Sequence, residues 1–171
     1  LYYNRIGNKM LDPEIARQLN VGVTWREGFK GVLDEVSLQA DGYFNKVEDK
    51  IVALPTLFVW KMMNLGKVEI LGTDINLGTS FSFGRGMRLR LQGNWSYQHA
   101  VDVTSSKDKN YKDQIPYTPR NSGSLSVSFL NGWVNAGYLM SAVGERYSLP
   151  QNTEQNRIDG YVEHSVSLNR S

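Results

Sequence analysis

His99 and His164, the only two histidines, are the residues best suited to bind a metal or transfer a proton. Neither has a second ligand nearby at a spacing typical of a metal site, and the chain contains no cysteine. A serine nucleophile elbow, a phosphate-binding loop and a pair of carboxylates at helical spacing are also missing, and Gly84-Arg85-Gly86 indicates a turn. The sequence therefore predicts a non-enzymatic protein without a cofactor, in which both histidines are structural.

Acidic side chains could supply oxygen ligands to Ca²⁺ at Asp41, Glu48, Asp49 and Asp74. These residues follow no calcium-loop pattern, so we interpret them as solvated charges. The loop at 107–113, which is rich in lysine and aspartate, could contact a ligand or could simply be solvated.

Arg88, Arg90, Gln92 and Asn94 are the most distinctive set of polar side chains. They alternate with apolar residues, and in a β-strand all four would therefore point to the same face. Two guanidinium groups on that face could bind an anion through charge-assisted hydrogen bonds. The alternative is that they form ordinary charge pairs within the protein.

Length and composition narrow the class of protein further. The 171 residues are 40% hydrophobic and 11% aromatic, which is sufficient for an ordered fold. The net charge is only +2 and the basic residues are scattered, so we predict no nucleic-acid partner. No apolar run approaches the length of about 18 residues that a transmembrane helix requires. A mean hydropathy of −0.41 is nevertheless compatible with a membrane barrel, whose strands are only half apolar.

Apolar and polar residues alternate with a period of two through most of the chain. The stretch that contains Arg88 and Arg90 is part of this pattern. The alternation is clearest on both sides of residues 84–86, where apolar residues alternate with polar ones from Thr73 to Phe83 and again from Met87 to Tyr97. We predict seven antiparallel strands, with bulges or bends at Gly66 and Gly72. The other predicted strands contain Ile15–Trp25, Val36–Phe44, Leu125–Phe129, Val134–Met140 and Val162–Leu168, and the strand before the turn begins near Trp60.

The connections between these strands alternate in length. Short ones follow Trp25, Phe83 and Phe129, whereas long polar ones follow Lys46, Ala100 and Tyr147. In an up-and-down meander all the short connections then lie at one end of the sheet. This asymmetry is typical of outer-membrane barrels.

Alternation alone does not separate a soluble β-sandwich from a membrane barrel. Three observations favour the barrel: strands of about ten residues, a polar face rich in arginine, amide and serine side chains, and two sets of aromatic residues separated along the strands. The first set is Trp25, Phe81, Phe83, Phe129 and Trp133, and the second is Phe44, Trp95, Tyr97 and Tyr138.

Four short motifs resemble those of TonB-dependent outer-membrane receptors. Leu11-Asp12-Pro13-Glu14 resembles the family's L-x-P-E at the start of a strand, and Tyr43-Phe44-Asn45-Lys46-Val47 resembles its Y-F-x-N-x-I. Asn64-Leu65-Gly66-Lys67 with Gly72-Thr73-Asp74 is similar to N-x-G-x-A…G-x-E, with aspartate in place of glutamate. Ile115 to Arg120 resembles the P-x-x-P-R that leads back into the barrel. The motif residues expected to be structural are Pro13, Asn64, Gly66, Gly72, Asp74, Pro116, Pro119 and Arg120.

The resemblance implies that residues 1–171 form about seven strands of a transmembrane barrel of about 22 strands, in the outer membrane of a Gram-negative bacterium. A plug domain and the final strands would then lie outside the sequence. The implied partners are lipid, the energy-transducing protein TonB and a scarce nutrient such as an iron-siderophore complex, haem, cobalamin or a glycan. Arg88 and Arg90 would face the lumen, where plug carboxylates are further candidate partners.

Two other functions remain as alternatives: a passive porin or adhesin barrel, and a soluble all-β binding domain. A soluble domain requires Trp25, Phe44 and Trp95 to be buried between two sheets. The membrane interpretation instead requires an open sheet, because seven strands are too few to close the expected barrel. A ladder joining Ile15–Trp25 to Val162–Leu168 would indicate a small closed barrel.

Overall fold

The computed structural model describes residues 8–55, 60–84 and 86–170. Arg85, in the predicted tight turn, and residues 56–59 lie outside the described residues. One short 3₁₀ turn, Glu154–Asn156, accompanies the strands, and no described helix is long and apolar enough to cross a membrane. The strands are β1 (Ile15–Gly28), β2 (Leu33–Pro55), β3 (Trp60–Phe83), β4 (Met87–Asp102), β5 (Asn121–Leu130), β6 (Val134–Val143), β7 (Arg146–Tyr147), β8 (Arg157–Ile158) and β9 (Tyr161–Arg170).

Seven of the strands form one antiparallel sheet in the order β1-β2-β3-β4-β5-β6-β9, which confirms the predicted meander. Strands β7 and β8 form a separate two-stranded sheet inside the connection between β6 and β9. The edges of the large sheet are β1 and β9, and no ladder joins them among the described residues. The fold is therefore an open sheet and not a small closed barrel.

In the central part of the sheet the strand register separates an apolar face from a polar face, whereas at the long-loop end the buried apolar side chains of Val68, Ile70 and Ala100 lie on the polar side. One row of directly opposed residues is Trp25, Leu38, Leu77, Gly93, Leu125, Met140 and His164. The adjacent row, on the other face, is Thr24, Gln39, Asn76, Asn94, Ser124, Ser141 and Glu163. A slip of one residue in any ladder would exchange these faces, so the alternation in sequence excludes such a slip.

Large side chains on the apolar face are exposed. Trp25 is 47% exposed, Trp95 43% and Phe44 36%, and Leu71 and Leu77 are each more than half exposed. No second sheet covers them in the described part of the chain. The sandwich interpretation, which required these aromatic residues to be buried, is therefore wrong.

The segment after Lys46 is strand and not the predicted irregular connection. Strand β2 continues to Pro55, which pairs with Trp60 at the start of β3. Opposite charges face each other across this extension, with 2.9 Å between Lys46 Nζ and Glu69 Oε1 and 3.8 Å between Lys67 Nζ and Glu48 Oε1. Cross-strand charge pairs support a ladder without apolar alternation, which explains why the pattern did not reveal it.

The predicted bulges at Gly66 and Gly72 are also absent. The register between β2 and β3 does not shift at either glycine, although the pair between Asp49 and Gly66 is missing from the ladder; the register shift lies between Leu33 and Glu35. Both glycines instead lie beneath a side chain of a neighbouring segment, as described below. A glycine in a strand can therefore indicate a close approach rather than a bend.

The two aromatic sets are separated only in part. Leu19, the partner of Phe44, lies six residues before Trp25 on β1, a distance of about 20 Å. Tyr138, in contrast, lies opposite Val127, only two residues from Phe129. Tyr138 therefore does not belong with Phe44 along the strands.

A small apolar core lies at the long-loop end of the sheet. It consists of buried side chains from β2, β3, β4 and the loop at 103–120, with Tyr43 and Val52 packed against it. This core fixes the loop against the sheet, so that end of the molecule is ordered. Its buried members are Val47, Leu65, Val68, Ile70, Ala100 and Ile115.

Candidate functional site

Strand β4 places Arg88, Arg90, Gln92 and Asn94 on the polar face, where all four side chains are exposed. Arg90 lies opposite Ser80 on β3 and Ser128 on β5. The predicted alternation is thus correct, and it presents two guanidinium groups and two carboxamides in a line along one strand.

A shallow concavity of about 350 Å³ adjoins this line of side chains. Gln92 and Asn94 contribute to its wall, whereas Arg88 and Arg90 lie beyond it toward the short-turn end. Its polar lining consists of hydroxyl and carboxamide groups and one arginine: Thr24, Arg26, Ser37, Gln39, Asn76, Gln92, Asn94, Ser124 and Ser126. Such a surface offers many hydrogen bonds and little charge.

Neither Arg88 nor Arg90 lies within ion-pair distance of a carboxylate in the described part of the chain. Three acids lie at the same end: Glu35 lies 3.6 Å from Arg26 Nε, Ser82 Oγ donates to Asp34 Oδ2 at 2.6 Å, and Glu27 lies on the apolar side of β1, opposite Val36. Among the described residues, therefore, no ion pair fixes the side chain of Arg88 or Arg90.

Asp74 lies higher on the polar face, opposite Asp41 on β2 and Ser96 on β4. Ser96 Oγ donates to Asp74 Oδ1 at 2.5 Å, and Gln39 Nε2 donates to Asp41 Oδ2 at 2.8 Å. Among the described residues no group of three or more histidine, cysteine or acidic side chains could hold a metal ion. Hydrogen bonds within the sheet thus occupy both carboxylates.

Both histidines belong to the apolar phase of the sheet. His164 Nδ1 lies 2.8 Å from the hydroxyl of Tyr138, and the two rings stack with centroids 6.0 Å apart. His99 lies opposite Leu71 on β3. His164 is exposed on the edge strand β9, whereas His99 is half-buried on β4.

Gly72 lies beneath the ring of Tyr43, its partner on β2. A Cβ atom at Gly72 would lie 2.2 Å from Tyr43 Cζ, so only glycine leaves room for the ring. Gly66 has the same relationship to Thr104, whose Cγ2 would lie 2.4 Å from an added Cβ. The two motif glycines therefore serve close packing on the polar face.

Asn64, on β3, forms hydrogen bonds with the segment just before β1 and with β2. Its Nδ2 donates to the carbonyl of Asp12 at 3.1 Å and to that of Asp49 at 2.6 Å, and its Oδ1 accepts from the backbone N–H of Asp12 at 3.1 Å. Asp49 has a φ of 55°, a left-handed conformation that turns its carbonyl away from the regular ladder. Two motifs far apart in sequence, at Pro13 and Asn64, are thus parts of one structural joint.

Glu14 extends this joint to β2. Its carboxylate accepts from Lys50 Nζ at 3.0 Å and from the backbone N–H of Ile51 at 3.2 Å. Burial alone would raise the pKa of Glu14, but the hydrogen bonds from Lys50 and Ile51 and the charge of Lys50 outweigh it, so the pKa lies below its ordinary value. The ionised form therefore stabilises the start of β1.

Pro116, Pro119 and Arg120 lie just before β5, as the motif predicted. The backbone N–H of Gln98 donates to the carbonyl of Arg120 at 2.8 Å, and β5 begins at the next residue. The segment with the two prolines curves away from β4. It leaves part of the β4 edge without a backbone partner.

Gln114 fills that gap, and sequence analysis did not identify it. Its side chain is 1% exposed. The carboxamide accepts from the N–H of Ala100 at 3.3 Å and donates to the carbonyls of Gln98 at 3.1 Å and Thr118 at 3.2 Å. A lone glutamine in a polar loop has no feature in the sequence that distinguishes it from solvated neighbours.

Asn152 links the two long loops through the backbone of Gln114. Its Oδ1 accepts from Gln114 N at 2.7 Å, its Nδ2 donates to Gln114 O at 3.0 Å, and its own N–H donates to Asp113 Oδ2 at 3.0 Å. The backbone N–H of Tyr117 also donates to the carbonyl of Tyr147 at 2.7 Å. The loops at 103–120 and 144–160 therefore form one hydrogen-bonded rim above the sheet.

Several solved structures have a similar fold, of which two are a copper transporter and an uptake receptor. The "Copper transporter OprC" superposes with a TM-score of 0.62 at 19% identity over 94% of this chain, and the ferric yersiniabactin uptake receptor FyuA from Yersinia pestis with 0.56 at 19% over 90%. The chain spans only 23% and 22% of those two proteins, respectively. No curated protein matches the sequence.

The family described as "TonB dependent receptor-like, beta-barrel" matches residues 1–170, which is nearly the whole chain. Its members are outer-membrane receptors of Gram-negative bacteria. The open seven-stranded meander, the exposed apolar face and the joint between the Pro13 and Asn64 motifs agree with this match. This chain belongs to the TonB-dependent receptor β-barrel family.

Proposed function

We propose that this chain forms part of the barrel wall of an active transporter in the outer membrane of a Gram-negative bacterium. The observation that carries the proposal is the apolar face of the single sheet, on which the side chains of Trp25, Leu38, Leu77 and Leu125, from four strands, are exposed. Burying such a face in lipid removes apolar surface from water at about 25 cal/mol per Å². The opposite face would line the lumen.

Orientation follows from the lengths of the connections. In outer-membrane barrels the short turns are periplasmic and the long loops extracellular. The hairpin of β2 and β3 and the loops at 103–120 and 144–160 would then project from the cell surface. The rim that Gln114 and Asn152 hold together would surround the mouth of the lumen.

The proposed activity is import of a scarce nutrient, driven by TonB acting on a segment outside residues 1–171. The family favours an iron-siderophore complex, haem, cobalamin or a glycan. The names of the two similar structures, a copper transporter and a ferric yersiniabactin receptor, support metal or metal-complex uptake as a starting point. As a transporter component the chain would perform no catalysis.

Uptake by the full-length protein tests this proposal. A strain lacking the gene, complemented with the full gene, would be supplied with each nutrient class in the presence and absence of TonB. We expect complementation to restore uptake of one class, and deletion of TonB to abolish it. Passive ion conduction with uptake independent of TonB would instead identify a porin and overturn the proposal.

A further inference from the structure

Arg17 and Lys46 lie directly opposite each other on β1 and β2, on the apolar face of the sheet. Like charges at directly opposed positions repel each other and destabilise a ladder. Lys46 has a carboxylate partner, because its Nζ lies 2.9 Å from Glu69 Oε1. Among the described residues, however, no carboxylate lies within ion-pair distance of the exposed Arg17. The two opposed cations therefore share only one acidic neighbour.

Lys67 adds a third cation one row further along the same face. It lies opposite Glu48, and 3.8 Å separate Lys67 Nζ from Glu48 Oε1, which is a long ion pair. The side chains of Lys46 and Lys67 are 58% and 62% exposed, so both ammonium groups are accessible. We call Arg17, Lys46 and Lys67 the basic patch. Its three cations exceed the two carboxylates beside it by one charge.

An apolar row borders the basic patch on the side toward the middle of the sheet. It consists of Leu19, Phe44 and Leu71, which oppose one another two residues, or about 7 Å, along the strands from Arg17 and Lys46. Leu19 is 66% exposed and Leu71 55%, and Lys46 Nζ lies 5.6 Å from the centre of the Phe44 ring. The outward surface therefore changes from apolar to cationic within one row of residues.

Such a change is expected where a barrel wall passes from the hydrocarbon layer to the lipid headgroups. A phosphate suits the patch, because a guanidinium group donates two parallel hydrogen bonds to its oxygens and an ammonium group adds a point charge. We infer that the basic patch binds the phosphate group of a lipid in the leaflet on the long-loop side, with the acyl chains of that lipid along the apolar row. This inference rests on the proposed function, which places the apolar face in lipid.

Native mass spectrometry of the purified full-length protein in detergent tests the site with two matched lipids. Dioleoyl phosphatidic acid and dioleoylglycerol have the same acyl chains, but only the first carries a phosphate. We expect phosphatidic acid to bind more tightly, and its Kd to rise about tenfold in R17Q/K46Q, since basic residues near a membrane surface attract anionic lipids. R17K should retain most of the binding. Equal affinity for the two lipids would overturn the inference.

R88Q/R90Q is the matched control, because it removes two cations from the opposite face of the sheet. It should leave the Kd for phosphatidic acid unchanged. If R17Q/K46Q bound the lipid as tightly as this control, a carboxylate elsewhere in the full-length protein would be the partner of Arg17, and the inference would be wrong. Inorganic phosphate that bound as tightly as the lipid, with the same loss in R17Q/K46Q, would identify a site for a free anion and overturn it too.

E69Q separates loss of the site from loss of the fold. The variant releases Lys46 from its carboxylate, so phosphatidic acid should bind about threefold more tightly than to the unaltered protein. A misfolded barrel would not gain affinity. Unchanged or weaker binding in E69Q would contradict the inference. The assay requires neither nutrient nor TonB, so it remains interpretable if the proposed uptake fails.

Discussion

Gln114 accepts a hydrogen bond from the backbone N–H of Ala100 at 3.3 Å and thereby acts as a missing residue of the sheet. The ladder between β4 and β5 ends at Tyr97 and Asn121, because the segment with Pro116 and Pro119 curves away. The Gln114 carboxamide supplies an acceptor and donors where a strand would have supplied a peptide group. The Gln114 side chain thus closes the break in backbone hydrogen bonding between β4 and the segment before β5.

Replacing Gln114 by leucine should destabilise the rim formed by the loops at 103–120 and 144–160. In the variant the N–H of Ala100 and the carbonyls of Gln98 and Thr118 stay buried but lose the hydrogen bonds that the Gln114 carboxamide now makes. This loss should lower the free energy of unfolding by about 1–3 kcal/mol. Hydrogen exchange at Ala100 should accelerate, and protease should cut the loop at 103–120 more readily. Gln155→Leu, at an exposed position, is the control and should change neither. Equal exchange rates in both variants would contradict this role of Gln114.

Gly72→Ala should be destabilising because the new methyl group displaces the ring of Tyr43. We expect a loss of about 1–3 kcal/mol in urea unfolding from lipid vesicles. Gly42→Ala is the matched control, since its Cβ would meet only the carbonyl of Val21 at 4.0 Å. In a Tyr43→Ala background the cost of Gly72→Ala should largely disappear, and a cost that persisted would show that the ring is not its cause.

Leu77→Arg tests which face of the sheet contacts lipid. Leu77 is 54% exposed on the apolar face, whereas its neighbour Asn76 lies on the polar face. An arginine on the lipid side near the middle of the bilayer costs about 2–4 kcal/mol. Asn76→Arg should be tolerated because the lumen is wet. Folding into vesicles measures both, and equal effects would contradict the assignment of the two faces.

Glu14 should make the start of β1 sensitive to acid. Its pKa in the folded protein lies below the ordinary 4.5, so its contribution to stability is complete above that value and is lost as the pH falls through the lowered pKa. Glu14→Gln should therefore unfold more readily than the unaltered protein at pH 7. At about pH 3 the difference should be smaller than at pH 7, because a larger fraction of the Glu14 carboxylate is then protonated and neutral, like the amide of the variant.

Glu145→Gln is the control for this measurement, because Glu145 is exposed in the connection between β6 and β7. It should unfold like the unaltered protein at both pH values. A difference between Glu14→Gln and the unaltered protein that stayed constant from pH 7 to about pH 3 would show that the ionised carboxylate is not responsible.

The sequence by itself determined the meander and the two faces of the sheet. The reason is that a period-two pattern such as that from Met87 to Tyr97 has only one arrangement in which every apolar residue lies on the same side. Short motifs around Pro13, Asn64 and Pro119 were sufficient to indicate the family. The alternation and the motifs each involve residues that are close together in the sequence, so they can be recognised without knowing the fold.

Only the tertiary structure decided how distant segments meet. The extension of β2 to Pro55 depends on charge pairs between strands, the packing of Gly72 depends on a tyrosine 29 residues away, and the joint at Asn64 depends on Asp12, which is 52 residues away. Gln114 became recognisable only beside the gap left by the two prolines. Such hydrogen bonds form between residues that the fold brings together, and no periodicity in the chain encodes them.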